Sequence, residues 1–361
     1  MTEGLASGRK LVVLVDAFDQ SNSLPDEYFE THDVLHVLTH AHADHYTGLQ
    51  HSRWSAPGGR GKVLCNAVTA TLVEAIVGLP RDILRVIDME QPVAVHPSVT
   101  LTLIDANHCP GACMALFEFA SGRRVLHTGD FRYSRSFQSD AQYAPLQHAV
   151  NKGLDDVFLD TTDCHPKHAV IPDRDAALEE LGRAFDARNT GQDEASLHLI
   201  ATYTIGKERV LEEIARRLGT PIVVDAQKQA LLQLSGRDMA LYSTDAGPTT
   251  TPTTSARVVK WGTLGETWPY FRPNYTAPAE LANSLGYKKV VGWVPTGWVS
   301  ASQQRSFSKS LLGVDVEIVL VPYSEHSSFA ELKEFVGWVK PKHVVPTVGA
   351  DDEKATSKLL K

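Results

Sequence analysis

The chain contains the segment THAHADH at residues 39–45, directly after a short apolar run. Four side chains of metal-binding types, His40, His42, Asp44 and His45, fall within six consecutive positions and are interrupted only by alanine. Imidazoles and carboxylates clustered in this way are the ligands that a zinc site requires. In an extended segment His40 and His42 share one side, whereas Asp44 and His45 turn away, so the segment can serve two adjacent metal ions. A polar loop without metal is the alternative interpretation.

Two further polar clusters follow predicted strands. The segment DANHCPG spans residues 105–111, and TGDFR spans residues 128–132. Because a sheet brings the side chains at its strand ends to one rim, we expect His108 and Asp130 to join the residues of the first cluster. Taken singly, a structural histidine and an aspartate that caps a turn are the alternative interpretations of these two residues.

The first half of the chain alternates short β-branched runs with polar loops, which is typical of strands in a sheet covered on both faces. The predicted strands are Val34–Leu38, Val99–Ile104, Cys113–Phe119, Arg124–His127 and Val157–Leu159. A helix is predicted at Ala67–Val77, because Gly78 and Pro80 end the helical pattern there. These elements indicate the α/β class.

The middle of the chain has a different sequence pattern. Helices are predicted at Asp173–Arg188 and Lys207–Leu218. Strands are predicted at Leu197–Thr202 and Pro221–Asp225, and the order strand–helix–strand implies that these two strands form a parallel pair. Residues 243–255 are rich in threonine, proline and glycine and are predicted to form an exposed loop.

The end of the chain returns to the pattern of the first half. The predicted elements are a strand at Val316–Val321, a helix at Phe329–Val339 and a strand at Val344–Val348. A middle segment with a different sequence pattern between two similar flanking segments predicts a domain inserted into a discontinuous one. The expected boundaries are 1–172 and 321–361 for the discontinuous domain and 173–320 for the insert.

The composition narrows the class of protein. Of the 361 residues, 43 % are hydrophobic and 22 % are charged, which excludes extensive disorder. No stretch approaches the roughly 20 apolar residues that cross a membrane, and the N-terminus has no secretory apolar region, which predicts an intracellular protein. Four cysteines without a C-x-x-C pair do not form a disulfide framework. The net charge of −8 argues against a non-specific binder of polyanions.

Six further motifs accompany the three polar clusters: VDAF (15–18), LDTT (159–162), TYTIGKER (202–209), PTGW (295–298), PYSEHSS (322–328) and KPKHVVPTV (340–348). In order and spacing, these motifs resemble those of the metallo-β-lactamase/β-CASP DNA cross-link repair nucleases, the Artemis and Apollo group. The resemblance extends from residue 11 to residue 348. It implies a four-layer αβ/βα metallo-β-lactamase fold with an inserted β-CASP α/β domain, and DNA bound in the cleft between them.

The resemblance implies two metal sites. His40, His42, His108 and Asp130 would form the first, which suits Zn²⁺ because zinc prefers imidazole and carboxylate ligands.

For the second site, the resemblance implies Asp44, His45 and a bridging Asp130 as ligands of another divalent metal. RNA-cutting relatives supply a further histidine at the position that is Val348 here. We therefore expect one tight zinc site and a second, weaker metal site.

The remaining signature positions of the family match Asp160 and His326. The resemblance implies that His326 acts as a general acid, or donates a hydrogen bond to the scissile phosphate, and that Asp160 orients it. The alternative is that both are structural hydrogen-bonding groups.

A pocket for a substrate 5′-phosphate is implied by residues in three of the motifs. Thr204 and Lys207 lie at a predicted helix start, where free N–H groups suit a phosphate. Thr296 lies in the PTGW motif, and Ser324 lies in the PYSEHSS motif. For Lys207, a solvated lysine at a helix start is the alternative interpretation.

The implied activity is that of a hydrolase, namely metal-assisted cleavage of phosphodiesters in single-stranded or end-containing DNA by a 5′→3′ exonuclease. The implied setting is DNA repair, including interstrand cross-link repair, in the nucleus. The alternatives are a structure-selective endonuclease on hairpins or overhangs, an RNA-processing nuclease, a small-molecule hydrolase of lactamase or glyoxalase type, and a non-catalytic DNA-binding scaffold. Protein partners cannot be predicted from the sequence.

Overall fold

The computed structural model describes residues 1–4, 8–50, 52–55, 60–164, 171–189, 195–244, 253–267, 270–297 and 305–348. The chain divides into two compact units. The first consists of Met1–Pro166 together with His326–Lys361, and the second is Lys167–Glu325. Among the described residues, no helix has both the length and the apolar character that spanning a membrane requires.

The strands and helices are numbered in chain order. The strands are β1 (Thr2–Gly4), β2 (Lys10–Val15), β3 (His32–Val37), β4 (Val63–Cys65), β5 (Leu84–Val86), β6 (Val93–His96), β7 (Val99–Asp105), β8 (Cys113–Phe119), β9 (Arg124–His127), β10 (Asp156–Leu159), β11 (Ser196–Thr202), β12 (Ile222–Val223), β13 (Tyr242–Ser243), β14 (Ser255–Lys260), β15 (Gly265–Glu266), β16 (Arg272–Pro273), β17 (Lys289–Thr296), β18 (Ser306–Leu311), β19 (Val314–Pro322) and β20 (His343–Pro346). The helices are α1 (Phe18–Ser23), α2 (Asp26–Thr31), α3 (Ala43–Tyr46), α4 (Ser52–Ser55), α5 (Ala67–Val77), α6 (Ala144–Lys152), α7 (Arg174–Asp186), α8 (Glu208–Leu218), α9 (Ala226–Leu234), α10 (Thr276–Ser284) and α11 (Phe329–Val339).

The first unit contains two sheets, with strand orders β1-β2-β3-β4-β5 and β20-β10-β9-β8-β7-β6. Their facing sides share one core, to which Val13 of β2 and Phe117 of β8 contribute. On the outer sides, α5 packs on the first sheet and α6 and α11 pack on the second. Alternate residues of β8 enter the two different cores, as the pleat of a strand buried on both faces requires. The four-layer arrangement implied by the resemblance is therefore confirmed.

Helix ends in this unit follow local sequence signals. The predicted helix at Ala67–Val77 forms with these bounds, because the Asn66 side chain accepts a hydrogen bond from the Thr69 N–H and Gly78 ends the helix at φ 72°. Helix α11 also has its predicted bounds, and Ser328 and Glu331 form a capping box at its start.

The second unit is built on a seven-stranded sheet of order β13-β12-β14-β11-β17-β19-β18, in which only β18 is antiparallel. Helices α7 and α8 pack on one face of this sheet, and α10 packs on the other. Consecutive strand residues such as Leu199 and Ile200 enter the two opposite cores. The hairpin β15–β16 forms a separate two-stranded sheet.

One sequence prediction about this unit is wrong. The strands at Leu197–Thr202 and Pro221–Asp225 are not direct neighbours, because β14 lies between β11 and the two-residue strand β12. The predicted strand at Val316–Val321 forms as part of β19, which pairs with β17 and β18 in the second unit, and the first unit resumes at His326. Most of the predicted loop, residues 245–252, lies outside the described residues, and β13 and β14 flank it.

Candidate metal centre

The side chains of the first predicted cluster follow β3 and begin α3. His40 and His42 lie in the extended segment after β3, and the short helix that starts at Ala43 carries Asp44 and His45. Asp44 extends into solvent, with its side chain 81 % exposed, whereas the imidazole of His45 lies beside that of His40, with the ring centroids 4.0 Å apart.

Two neighbouring strand ends complete the group. His108 follows β7 and Asp130 follows β9. Between β9 and Asp130, Gly129 has a φ of 55°, and a Cβ atom there would lie 2.9 Å from the Cβ of Thr39. Glycine at this position allows the strand ends to approach each other closely.

The imidazole nitrogens converge on one carboxylate oxygen. Asp130 Oδ2 lies 3.6 Å from His40 Nε2, 3.7 Å from His108 Nε2 and 3.2 Å from His45 Nε2. His42 Nδ1 lies 2.9 Å from His40 Nε2 and 3.3 Å from His108 Nε2. Ligands at about 2.1 Å from a tetrahedral zinc ion are about 3.4 Å from one another. The spacing of these atoms therefore fits a shared metal ion.

The second predicted site is less complete. Asp44 Oδ2 lies 3.7 Å from His45 Nε2, and its side chain is 81 % exposed. The backbone N–H and carbonyl of Val348 both form hydrogen bonds with the Thr161 hydroxyl, and the Val348 side chain has no ligand atom. Cys109, to which no role was assigned from the sequence, has its thiol among the potential ligand atoms around His40, His42 and His108.

Asp16 of the VDAF motif also contacts the cluster, which the residue types and spacing of this motif do not predict. Its carboxylate accepts hydrogen bonds from the Thr39 N–H at 2.8 Å and the Thr39 hydroxyl at 2.6 Å. It also lies 2.8 Å from His45 Nδ1. Because the Thr39 hydroxyl donates its proton to Asp16, it accepts the hydrogen bond from His40 Nδ1 at 3.0 Å. The Nε2 lone pair of His40 is then directed toward Asp130 and is available to a metal.

The electrostatics of the cluster suit a cation. Burial, followed by the nearby His45 and His42, lowers the pKa of His40 well below its usual value, so this imidazole is neutral as a ligand must be. Burial acts to raise the pKa of Asp130, but His45 and His326 hold it well below its usual range. Burial lowers the pKa of His45, and the carboxylates of Asp130 and Asp16 outweigh this effect and raise it. A bound divalent cation would supply the positive charge to Asp130 and release the proton of His45.

Asp160 and His326 form a hydrogen-bonded pair beside this cluster. His326 Nδ1 lies 2.9 Å from Asp160 Oδ2, and the carboxylate also accepts hydrogen bonds from the Phe131 N–H and from Thr162. Burial lowers the pKa of His326, but Asp160 and Asp130 raise it to about 10. One ring nitrogen of His326 lies within 4.8 Å of ligand atoms of His108 and Asp130.

The residues of the predicted phosphate pocket all lie in the second unit. Thr204 follows β11, Lys207 precedes α8, Thr296 ends β17, and Ser324 follows β19. Because β11, β17 and β19 are adjacent and parallel, these residues share the carboxyl edge of the sheet. Trp298 of the PTGW motif lies outside the described residues.

The expectation of free N–H groups at the start of α8 is wrong for two residues. The Lys207 N–H donates to Glu325 Oε1 and the Gly206 N–H donates to Glu208 Oε1, both at 2.8 Å. Lys207 is buried, has a φ of 63°, and holds its ammonium 5.3–5.9 Å from the ring centroids of Tyr203, Trp261 and Tyr323. These two N–H groups are therefore engaged within the protein, and the Lys207 ammonium lies near three aromatic rings.

Two protein families match parts of the sequence. The family described as "Beta-lactamase superfamily domain" matches residues 14–184, and the family described as "DNA repair metallo-beta-lactamase" matches residues 269–352. The first match lies mainly in the first unit and the second begins in the second unit, so the matches together include both.

Relatives match over most of the chain. DNA ligase 6 of Arabidopsis thaliana is 41 % identical over 330 residues, which are 90 % of this chain and 22 % of that protein. The 5′ exonuclease Apollo of Gallus gallus is 32 % identical over 320 residues, which are 88 % of this chain and 59 % of that protein. The chain thus spans less than two thirds of the length of either relative.

A solved structure supports the fold. A protein of unknown function from Enterococcus faecalis V583 matches with a TM-score of 0.53 and covers 89 % of this chain and 76 % of that chain, at 12 % identity. The metallo-β-lactamase superfamily implies divalent-metal binding, and the histidine and aspartate cluster of the first unit fits it. In these matches the chain is similar to the DNA-repair, β-CASP branch of the metallo-β-lactamases.

Proposed function

We propose that the protein is a zinc-dependent hydrolase that cleaves DNA phosphodiesters as a 5′→3′ exonuclease starting from a 5′-phosphate, and that it acts in DNA repair in the nucleus. The observation that carries this proposal is the convergence of His40, His108 and His45 on Asp130, with the His326–Asp160 pair beside them. The name of the Apollo relative supports the exonuclease polarity and the 5′ end.

The ligand residues have distinct roles in this proposal. His40, His42, His108 and Asp130 hold the first zinc ion, and Asp44, His45 and Asp130 hold the second, weaker metal. When bound, a divalent metal supplies Lewis acidity, which acidifies water and neutralises charge on the phosphate. Asp16 keeps the Nε2 atom of His40 free of its proton by accepting the Thr39 hydroxyl proton.

His326 is the proton donor of the proposed reaction. Asp160 accepts the hydrogen bond of Nδ1, which fixes the ring and leaves Nε2 to donate to the scissile phosphate or its leaving oxygen. A positioned histidine contributes roughly 10²–10⁴-fold. Hydrolysis of phosphate esters can require far more than about 10¹⁵-fold. The metal ligands therefore contribute the larger share of the acceleration, and His326 assists.

The metal content of the protein tests the assignment of two unequal sites. We expect about one zinc ion per chain after dialysis, because the first site has four protein ligands whereas the second has three and shares Asp130. Elemental analysis by mass spectrometry measures this directly. Two zinc ions retained against a mild chelator would contradict the assignment and would point to His326 as an additional ligand.

Lys207 is proposed to hold the terminal phosphate together with Thr204, Thr296 and Ser324. A charge-assisted hydrogen bond is worth about 1.5–3 kcal/mol, so Lys207→Ala should slow cleavage of 5′-phosphorylated DNA by roughly ten- to a hundredfold. The advantage of this DNA over 5′-hydroxyl DNA should shrink, and zinc content should not change. The measurement compares both substrates at one salt concentration, because phosphate contacts are screened.

Lys288→Ala is the matched control, because it removes an exposed lysine of the same unit that lies before β17, at the opposite edge of the sheet. Equal slowing of both substrates by Lys207→Ala would contradict the phosphate role and make Lys207 a general backbone contact or a structural residue.

The experiment that tests the proposed function is a cleavage assay with labelled single strands that carry either a 5′-phosphate or a 5′-hydroxyl. We expect stepwise shortening from the 5′-phosphate end. Internal cuts at hairpins or overhangs would favour an endonuclease, and faster cleavage of RNA would favour an RNA-processing enzyme. A thioester serves as the control for small-molecule hydrolysis, and its turnover without DNA cleavage would overturn the proposal.

A further inference from the structure

A second pocket of the second unit lies at the carboxyl ends of β11 and β14, and it has a volume of about 620 Å³. Pockets that bind small ligands measure roughly 300–1,000 Å³. The residues that line it and matter below are Thr202, Tyr203, Arg257, Lys228, Lys260 and Trp261. Of the predicted phosphate residues, only Thr204 also lines this pocket.

The pocket occupies the topological switch point of the sheet. After β11 the chain continues into α8 on one face, whereas after β14 it continues through β15 and β16 into α10 on the other face. Because β11 and β14 are adjacent and parallel, the connections that leave their carboxyl ends diverge and open a crevice. Crevices of this kind are the usual ligand sites of open α/β sheets.

An aromatic pair forms one side of the pocket. Tyr203 is 43 % exposed, and its ring lies 4.5 Å from that of Trp261 with an interplanar angle of 31°. Exposed aromatic faces of this kind provide stacking platforms for nucleic-acid bases. Both rings also lie beside Lys207, with their centroids 5.3 and 5.4 Å from its ammonium nitrogen. A strand held at Lys207 by a phosphate would therefore bring its bases within reach of this pair.

Three basic side chains, Arg257, Lys228 and Lys260, line the pocket against one acidic side chain, Asp225. In the part of the chain that the structure describes, Arg257 and Lys260 form no ion pair. Lys228, in contrast, is paired with Glu208 at 3.1 Å and donates to the carbonyls of Tyr203 and Thr204. Arg257 and Lys260 are thus the cations that remain for a ligand, and they suit a phosphate.

Thr202 also lines the pocket and is 3 % exposed.

We infer that this pocket binds a nucleotide unit, with the base stacked on Tyr203 and Trp261 and a phosphate held by Arg257 and Lys260. The unit belongs to a single strand of DNA whose end is processed by the enzyme, so the inference rests on the proposed function. The pocket binds a base in addition to the phosphate that Lys207 contacts. The second unit therefore recognises a longer part of the strand.

Fluorescence anisotropy with a labelled, cleavage-resistant phosphorothioate oligothymidylate that carries a 5′-hydroxyl tests this inference on the metal-loaded protein. Tyr203→Ala should weaken binding by about five- to a hundredfold, which is the usual effect of losing one stacked base, whereas Tyr203→Phe should retain binding. Lys260→Ala should reduce the slope of log affinity against log salt by about 0.7, because one phosphate contact to a single strand is lost.

Lys288→Ala is the matched control, because Lys288 is an exposed lysine before β17, at the opposite edge of the sheet. Binding by Tyr203→Ala and Lys260→Ala that equals binding by this control would overturn the inference. Thymidine 5′-monophosphate is tested as a competitor of the oligonucleotide. Competition in the wild type that is lost in Tyr203→Ala would show that the pocket also accepts a free nucleotide. Oligonucleotide binding that depends on Tyr203 but is not reduced by the competitor would show that the pocket binds only strands. A wild-type protein that neither binds nor cleaves DNA would contradict the proposed function, whereas unaltered variants of a protein that cleaves DNA contradict only the pocket.

Discussion

Replacing Asp130 by asparagine should abolish DNA cleavage and leave the fold intact. Asp130 is 8 % exposed, and its Oδ2 atom lies within 3.7 Å of Nε2 of His40, His45 and His108. Asparagine preserves the shape but removes the negative charge that both metals would share. Because a bound metal supplies several kcal/mol of transition-state stabilisation, and about 1.4 kcal/mol corresponds to tenfold, we expect a loss on the order of 10³-fold or more.

Cleavage of 5′-phosphorylated single strands measures this loss, and circular dichroism measures the fold. Asp88→Asn is the matched control, because Asp88 is an exposed aspartate of the same unit outside the cluster. Near-normal turnover of Asp130→Asn at saturating zinc would contradict the assignment of Asp130 to both metals.

His326→Ala should produce the second largest effect, a fall in turnover of about 10²–10⁴-fold, which is the usual contribution of a positioned general acid. The physical reason is that the ring is fixed by Asp160 at Nδ1, so the other nitrogen is the one that donates to the phosphate or the leaving oxygen. Zinc content should not change, and Asp160→Asn should lower turnover in the same direction.

The zinc content of His326→Ala separates two roles for this residue. One ring nitrogen of His326 lies within 4.8 Å of ligand atoms of His108 and Asp130. A loss of metal together with activity would therefore assign His326 to the metal shell and contradict its role as a proton donor. Retained metal with reduced turnover agrees with the account.

The members of the histidine and aspartate cluster could be predicted from the sequence because short segments carry them at the ends of predicted strands. His40, His42 and His45 lie within one segment, and the strand ends after β7 and β9 add His108 and Asp130. The role of Asp16 could not be predicted in this way. It depends on a hydrogen bond to Thr39, 23 residues away, and on the position of a hydroxyl proton.

The second unit shows the limit of local patterns. Gly206 and Lys207 have the sequence signature of a phosphate-binding helix start, but a carboxylate 118 residues away in the chain accepts the Lys207 N–H. The placement of β14 between β11 and β12 also depends on long-range pairing that strand–helix–strand order does not reveal. The same pairing brings Tyr203 and Trp261 together, so the nucleotide pocket could not be predicted from sequence.

In the proposed function, metal held by the histidine and aspartate cluster is required for DNA cleavage. A titration with a chelator tests this requirement when zinc content and DNA cleavage are measured on the same samples. The account predicts that cleavage falls as the metal is removed, is lost when the cluster no longer holds metal, and returns when zinc is added back. Asp130→Asn should show no such recovery. Undiminished cleavage by the metal-free protein would contradict the account.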